Sequence, residues 1–267
     1  MLAAVHYGEL PRSPAQHVVE QLATSELAQE FIEVTDQPEL ASTPNISELV
    51  AWRKDQRLLE HKWRDHLDKA TVAQDYASRL NDHLFRLRLR LSKDFQKSQW
   101  RTRQIEKFVT AKHIQAWRHF IDSSSRILVV IESDATITSN TVEGVADAVA
   151  ELASDVPTYV NLAGGLDRRD ILIEHLASTQ SDRMTAFTRP VTNTSCAYAV
   201  NRTVIQDLLA FLSRKPEAGS LGIDWLLNAF FIDQTLAGDS IRCFHSQPPA
   251  LRHGSIAGVT RSWHPDR

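Results

Sequence analysis

Between Arg126 and Ala135 the chain reads RILVVIESDA, an apolar run rich in β-branched residues that stops abruptly at carboxylates. A run of this kind reads as a buried strand. The first residues place that strand in an α/β architecture. LAAVHY, residues 2 to 7, reads as a short buried strand punctuated by Gly8 and Pro11. A helix is expected from about Ser13, with Pro14 in its first turn and Val18, Val19, Leu22 and Leu27 on one face. FIEVTD, Phe31 to Asp36, reads as a second strand. Strand, helix and strand at this spacing make a βαβ unit, which implies a parallel sheet. With 267 residues, 42% hydrophobic and 24% charged, the chain can bury the core of one large α/β domain, and a mainly disordered chain is excluded.

Residues 37–46 read as loop. The tract from about Ser47 to Leu91 reads as one amphipathic helix or coiled-coil seam through Leu59, Trp63, Leu67, Ala70, Ala73, Ala77, Leu80, Leu84, Leu87 and Leu91. Its end, FRLRLRL, also alternates like a strand, but the longer register favours helix. Further helices are expected over Arg101 to Asp122, Val142 to Ala153, Arg202 to Leu212 and Asp224 to Asp233. Strands are expected over Pro157 to Leu162 and Ser195 to Val200, with a loop-rich remainder. Cys196 and Cys243 have no zinc spacing and read as buried thiols in a reducing compartment. No apolar stretch reaches the roughly 18 residues that span a bilayer, and MLAAVHYGELPRSP lacks the pattern of a signal peptide, so a cytoplasmic protein is expected. The net charge of -3 gives no reason to expect nucleic acid as a partner.

The chemistry centres on Glu132-Ser133-Asp134. Ligands of open α/β sheets bind beyond the carboxyl ends of the strands. Two carboxylates two positions apart can serve Mg²⁺ or Mn²⁺ together with substrate phosphates, as a nucleotide-sugar donor requires. The alternative is that these acids cap the next helix. The basic cluster Arg86, Arg88, Arg90, Lys93, Lys97, Arg101, Arg103 and Lys107 reads as a peripheral contact with an anionic membrane, or as a solvated face beside a packing or homodimer seam.

Several blocks in order resemble glycosyltransferase family 25, the lipooligosaccharide glycosyltransferases. ELPRSPAQ (Glu9 to Gln16) resembles the family's opening Asn-Leu-x-Arg-Ser-x-x-Arg, with Gln16 in place of the second arginine. FIEVTD resembles its second strand, and AKHIQAW (Ala111 to Trp117) its Ser-His-x-x-x-Trp helix. ILVVIESDA resembles Leu-Val-x-Glu-Asp-Asp-Ala, with Ser133 at the middle acidic position. TNTSCAYAVNRTVIQDLL (Thr192 to Leu209), GIDWLL (Gly222 to Leu227) and PPALRHGSIAG (Pro248 to Gly258) resemble three later segments. The tract from about 45 to 100 lies outside the resemblance.

The resemblance implies a single GT-A-like, Rossmann-type nucleotide-sugar-binding domain over 1–267. Its sheet would be mostly parallel, with a helical insertion at about 45–100. It implies a UDP-sugar donor, often UDP-galactose, a glycan or lipid-linked oligosaccharide acceptor, and a DxD-like site for Mn²⁺ or Mg²⁺. Asp134 would be the main metal ligand, and Glu132 would contact the donor ribose or support the metal. Asp224 becomes a candidate general base for an inverting transfer, or the N-cap of a helix starting at Trp225. His253 is a candidate late metal ligand, or a surface histidine. Arg12 could contact the uracil or a phosphate, or be a solvated loop arginine. Asn193, Thr194 and Tyr198 lie where a sugar could sit, with Tyr198 also readable as core, and His113 reads as a packed, hydrogen-bonded histidine. A catalytically silent, glycan-binding or scaffolding relative is the other function consistent with these residues. A cytoplasmic enzyme peripheral to the inner membrane is the expected setting for the first.

Overall fold

The computed structural model describes residues 2–7, 14–25, 27, 30–34, 41–68, 72–164, 173–192 and 194–258, and for 2–7, 30–34 and 72–78 the backbone alone. The described chain is a mixed α/β protein. Its elements are β1 (Leu2–Tyr7), α1 (Ala15–Thr24), β2 (Glu30–Val34), α2 (Ile46–His66), α3 (Val72–Leu91), α4 (Lys93–Asp122), β3 (Ile127–Glu132) and β4 (Ala135–Ile137). Then come α5 (Thr141–Glu151), β5 (Thr158–Asn161), β6 (Ala163–Gly164), β7 (Ala177–Gln180), β8 (Met184–Phe187), β9 (Ala197–Asn201), α6 (Arg202–Arg214), α7 (Ile223–Ala237), β10 (Arg242–Ser246) and β11 (Leu251–His253).

Eight strands form one sheet in the order β2-β1-β3-β9-β5-β10-β8-β7, and β4, β11 and β6 form a small second sheet. The βαβ unit at the start is present, since β1 lies parallel to both β2 and β3. The large sheet as a whole is mixed rather than mostly parallel. β5 and β10 are parallel, but β9 runs antiparallel between β3 and β5, and β8 runs antiparallel to both β10 and β7. The sequence could not show this. A buried antiparallel strand such as AYAVN, covered on both faces, has the same unbroken apolar composition as a parallel one. β7, β8 and β10 were also illegible: ASTQ is an exposed edge strand, and RCFHS lacks an aliphatic run.

Period-two alternation sorts the strand residues into two cores. Leu128 and Val130 of β3, Tyr198 and Val200 of β9 and Tyr159 of β5 pack with α4, α6, α7 and the end of α2. Ile127, Val129 and Ile131 of β3, with Ala197 and Ala199 of β9, pack with α1 and α5. Helices therefore cover both faces of the sheet. Arg202, at the start of α6, ties the two chain directions together: its guanidinium donates to the carbonyls of Ile121 (2.9 Å), Ser123 (2.6 Å) and Ser125 (2.6 Å), satisfying backbone acceptors at and just beyond the end of α4.

The expected single helix from Ser47 to Leu91 is two helices. Asn45 caps α2 by accepting from the Glu48 N–H (3.2 Å). After α2 the chain turns through Asp68, whose φ of 55° interrupts the helical register. α3 then packs back on α2, where buried Asp82 takes Arg57 at 3.0 Å and Arg53 at 3.6 Å. The apolar stripe splits accordingly. Leu59 and Leu67 join the main core, whereas α3 turns Leu89 and Phe85 inward, onto a satellite core with Leu49, Trp52 and Trp100. Leu80, Leu84, Leu87 and Leu91 of the expected seam face solvent. The basic cluster divides too: Arg103 is buried, donates to the Ser220 carbonyl and lies 3.7 Å from Glu48, which also takes Lys107 at 3.1 Å. Among the described residues no helix is long and apolar enough to cross a membrane.

One turn beyond Arg103 on α4, burial pushes the Glu106 carboxyl from its ordinary 4.5 up to about 7, against the pull of the Arg103 charge. A carboxyl that binds its proton more tightly when folded favours the folded state most below pH 4.5, and that contribution is lost as pH rises through about 7. Glu106→Gln keeps the neutral form at all pH. It is expected to raise the melting temperature at pH 8 by roughly 4–8 °C, on the order of 2 kcal/mol, and to change it little at pH 5. Equal melting temperatures of the two proteins across that range, measured by calorimetry, would refute this reading of Glu106.

Candidate functional site

β3 ends at Glu132, a tight turn through Ser133 and Asp134 follows, and β4 begins at Ala135. The small sheet brings the C-terminal region to this turn. β11 pairs antiparallel with β4 so that His253 lies opposite Ala135, and the Gly254 N–H donates to the Asp134 carbonyl (2.9 Å). His253 Nδ1 thereby lies 3.1 Å from Asp134 Oδ2. The antiparallel β9 brings Ser195 and Cys196 to the same place, where the Glu132 N–H donates to the Cys196 carbonyl (2.8 Å). Asp224 enters from the first turn of α7.

Glu132 is held from two sides. Ser195 Oγ donates to Glu132 Oε1 (3.1 Å), and His113 Nε2 lies 3.2 Å from the same oxygen. Behind His113, its Nδ1 is 2.8 Å from the Tyr198 hydroxyl, which accepts from Trp117 Nε1–H (2.9 Å). An indole N–H only donates, so the Tyr198 proton goes to His113 Nδ1, and a neutral His113 presents Nε2–H to Glu132. Burial pushes the His113 pKa down and outweighs the upward pull of Glu132, which is consistent with a neutral ring. The packed roles expected for His113 and Tyr198 therefore hold, but both also orient a site carboxylate.

The second pair is charged. Burial alone would raise the Asp134 carboxyl, but the hydrogen bond and charge of His253, helped by Cys196 and Ser255, bring it below the usual range. Burial would likewise lower the His253 pKa, and Asp134, followed by Glu132 and Asp224, raises it instead. Cys196 Sγ sits 3.5 Å from Asp134 Oδ1. Asp134, Cys196 and His253 form a cluster whose ligand atoms all lie within 4.8 Å of one another. Burial, then the charges of Asp134 and Glu132, push the Cys196 thiol well above its ordinary range, so it stays protonated and is a poor ligand for a hard cation. Asp134 and His253 suit one better: two adjacent ligands on bonds of about 2.1 Å in an octahedral shell lie about 3.0 Å apart, close to their observed separation.

Asp224 does not cap α7. The N-cap is Gly222, and Asp224 stands inside the first turn. Asp224 is exposed to solvent, yet enough protein surrounds its carboxyl to strip part of its hydration. Its carboxyl is pushed up to about 6, first by the lost hydration and then by the Glu132 charge, against hydrogen bonds from the Ser195 side chain and backbone. Ser195 thus links the two carboxylates, and one hydroxyl proton can serve only one of them at a time.

The structure accordingly brings together Glu132, Asp134, Asp224 and His253, which lie far apart in the sequence. It does not add Thr194. That residue is buried, its carbonyl accepts from Asn161 Nδ2 (2.8 Å), and its hydroxyl accepts from the Cys196 N–H (3.2 Å), so it shapes the turn into β9. Arg12 and Asn193 lie outside the described residues. Ser195, Ser255 and the site position of Cys196 escaped the sequence reading, because only the antiparallel pairing of β9 with β3 and the closing turn after β11 place them there.

The fold and site define a mixed α/β protein with a carboxylate cluster at the end of a central strand. No protein-family model matches the chain, and no curated protein matches it.

Proposed function

We propose that the chain is a glycosyltransferase of GT-A-like fold, related to family 25, that moves a sugar from a UDP-sugar to a cell-surface glycan with inversion. Galactose is the expected sugar. The observation that carries this reading is the convergence of Asp134, His253 and Asp224 on Glu132, close enough that the charges of Glu132 and His253 act on the Asp224 carboxyl. Those roles need different electrostatics, and the two carboxyls have them: Asp134 is held ionised, while Asp224 is raised toward the pH at which a base works best.

In this mechanism the acceptor hydroxyl attacks the anomeric carbon, the bond from that carbon to the diphosphate oxygen breaks, and the hydroxyl proton passes to Asp224. Ser195 holds the Asp224 carboxylate in place, and Glu132, oriented by His113, keeps that carboxylate basic. Asp134 and His253 are the residues to hold a divalent cation, whose chemistry is to neutralise the charge growing on the leaving diphosphate. A carboxylate with an imidazole favours Mn²⁺ over Mg²⁺.

The closed Asp134–His253 ion pair favours a second reading, a silent glycan binder, because the histidine already balances the carboxylate charge. UDP release from a panel of UDP-sugars, with and without Mn²⁺, separates the two. Turnover of one donor only with the metal is expected. No hydrolysis together with no calorimetric binding of any donor would leave the silent reading in its place.

A further inference from the structure

The outer surface of α3 carries a pattern that the site does not use. Leu80, Leu84, Leu87 and Leu91 follow each other at helical spacing, and their exposures are 51%, 44%, 43% and 77%. With 3.6 residues per turn they form one stripe, with Arg88 about 70° to one side and His83 and Arg90 roughly 70–90° to the other. Arg79, His83, Arg86, Arg88 and Arg90 are all exposed. The one acid between Arg79 and Leu91 is Asp82, which is buried against Arg53 and Arg57 of α2. From Arg79 to Leu91 the exposed side of the helix therefore shows leucine, arginine, His83 and Asn81, with no carboxylate.

We infer that this face of α3 docks on an anionic lipid bilayer. Leucines at the centre of the stripe can enter the boundary between headgroups and acyl chains, roughly 5–10 Å deep. The arginines on both flanks can lay their stems along the apolar zone and raise their guanidinium groups to lipid phosphates. A second copy of the chain fits this surface less well. Paired seams need opposite charges along their flanks, and this stripe would set arginine against arginine. The inward face of the helix is already committed, since Leu89 and Phe85 pack on Trp52, Trp100 and Phe95. The inference is independent of the transferase reading, because it rests on residues outside the carboxylate site.

The test is sedimentation of the full-length chain with vesicles of phosphatidylcholine alone, or of phosphatidylcholine containing about one third phosphatidylglycerol. Binding to the anionic vesicles only is expected, weakening as salt rises. L84Q/L87Q is expected to lower the partition coefficient about tenfold or more, and R79Q/R90Q to lower it about tenfold. Both pairs are exposed, and an unchanged far-ultraviolet circular dichroism spectrum would confirm that the variants fold. Absence of binding to the anionic vesicles overturns the inference. So does binding that L84Q/L87Q leaves unchanged. A wild-type dimer in sedimentation equilibrium that L84Q/L87Q dissolves would also overturn it and assign the stripe to a second copy.

Discussion

Asp224→Asn is expected to lower the rate of UDP release by about 10³-fold while changing donor affinity no more than about threefold. The substitution keeps the shape of the side chain and its place in the first turn of α7, so the loss would isolate the proton acceptor. A carboxyl pushed up to about 6 also sets a pH dependence. The base form is the reactive one, so the wild-type rate should fall about tenfold for each pH unit below about 6 and level off above it. The slow rate left in the Asn variant should not show that acidic limb. A variant within tenfold of wild type would remove Asp224 from the chemistry and leave it as an acid that favours the positive end of a helix.

Asp134→Ala is expected to weaken Mn²⁺ binding at least about a hundredfold and to abolish the dependence of turnover on the metal. Calorimetry reads the first directly, without activity. It should also show protons released as Mn²⁺ binds the wild type, because Asp134 holds His253 toward its protonated form and an imidazole must lose its proton to ligate. Cys196→Ser should leave Mn²⁺ affinity nearly unchanged, since the buried thiol stays protonated. Mn²⁺ affinity that survives in Asp134→Ala, or falls only in the Cys196 variant, would move the metal to other ligands.

How far the site was legible depends on how its residues are joined. Glu132 and Asp134 could be read because the signal is local: an apolar strand has to stop somewhere, and here it stops on two carboxylates. Asp224 and His253 entered through motif resemblance, not through any local signal that joins them to Glu132. The network behind Glu132, from Trp117 through Tyr198 and His113, joins a helix to two strands across the sheet, and no sequence spacing encodes that. Ser195 and Cys196 were read only as part of an apolar strand.

The amino-acid sequence by itself determined that the chain folds as α/β, where most helices lie, and which strand ends in charge. These follow from periodicity, capping and burial, which act over a few residues. Tertiary structure alone decided that β9 runs against β3, that the long leucine register breaks at Asp68 and turns its second half to solvent, and that His253 meets Asp134. The physical reason is that strand direction and helix facing are set by which surfaces pack together. A residue pattern states that a face is apolar, and only the neighbouring element decides whether it is covered.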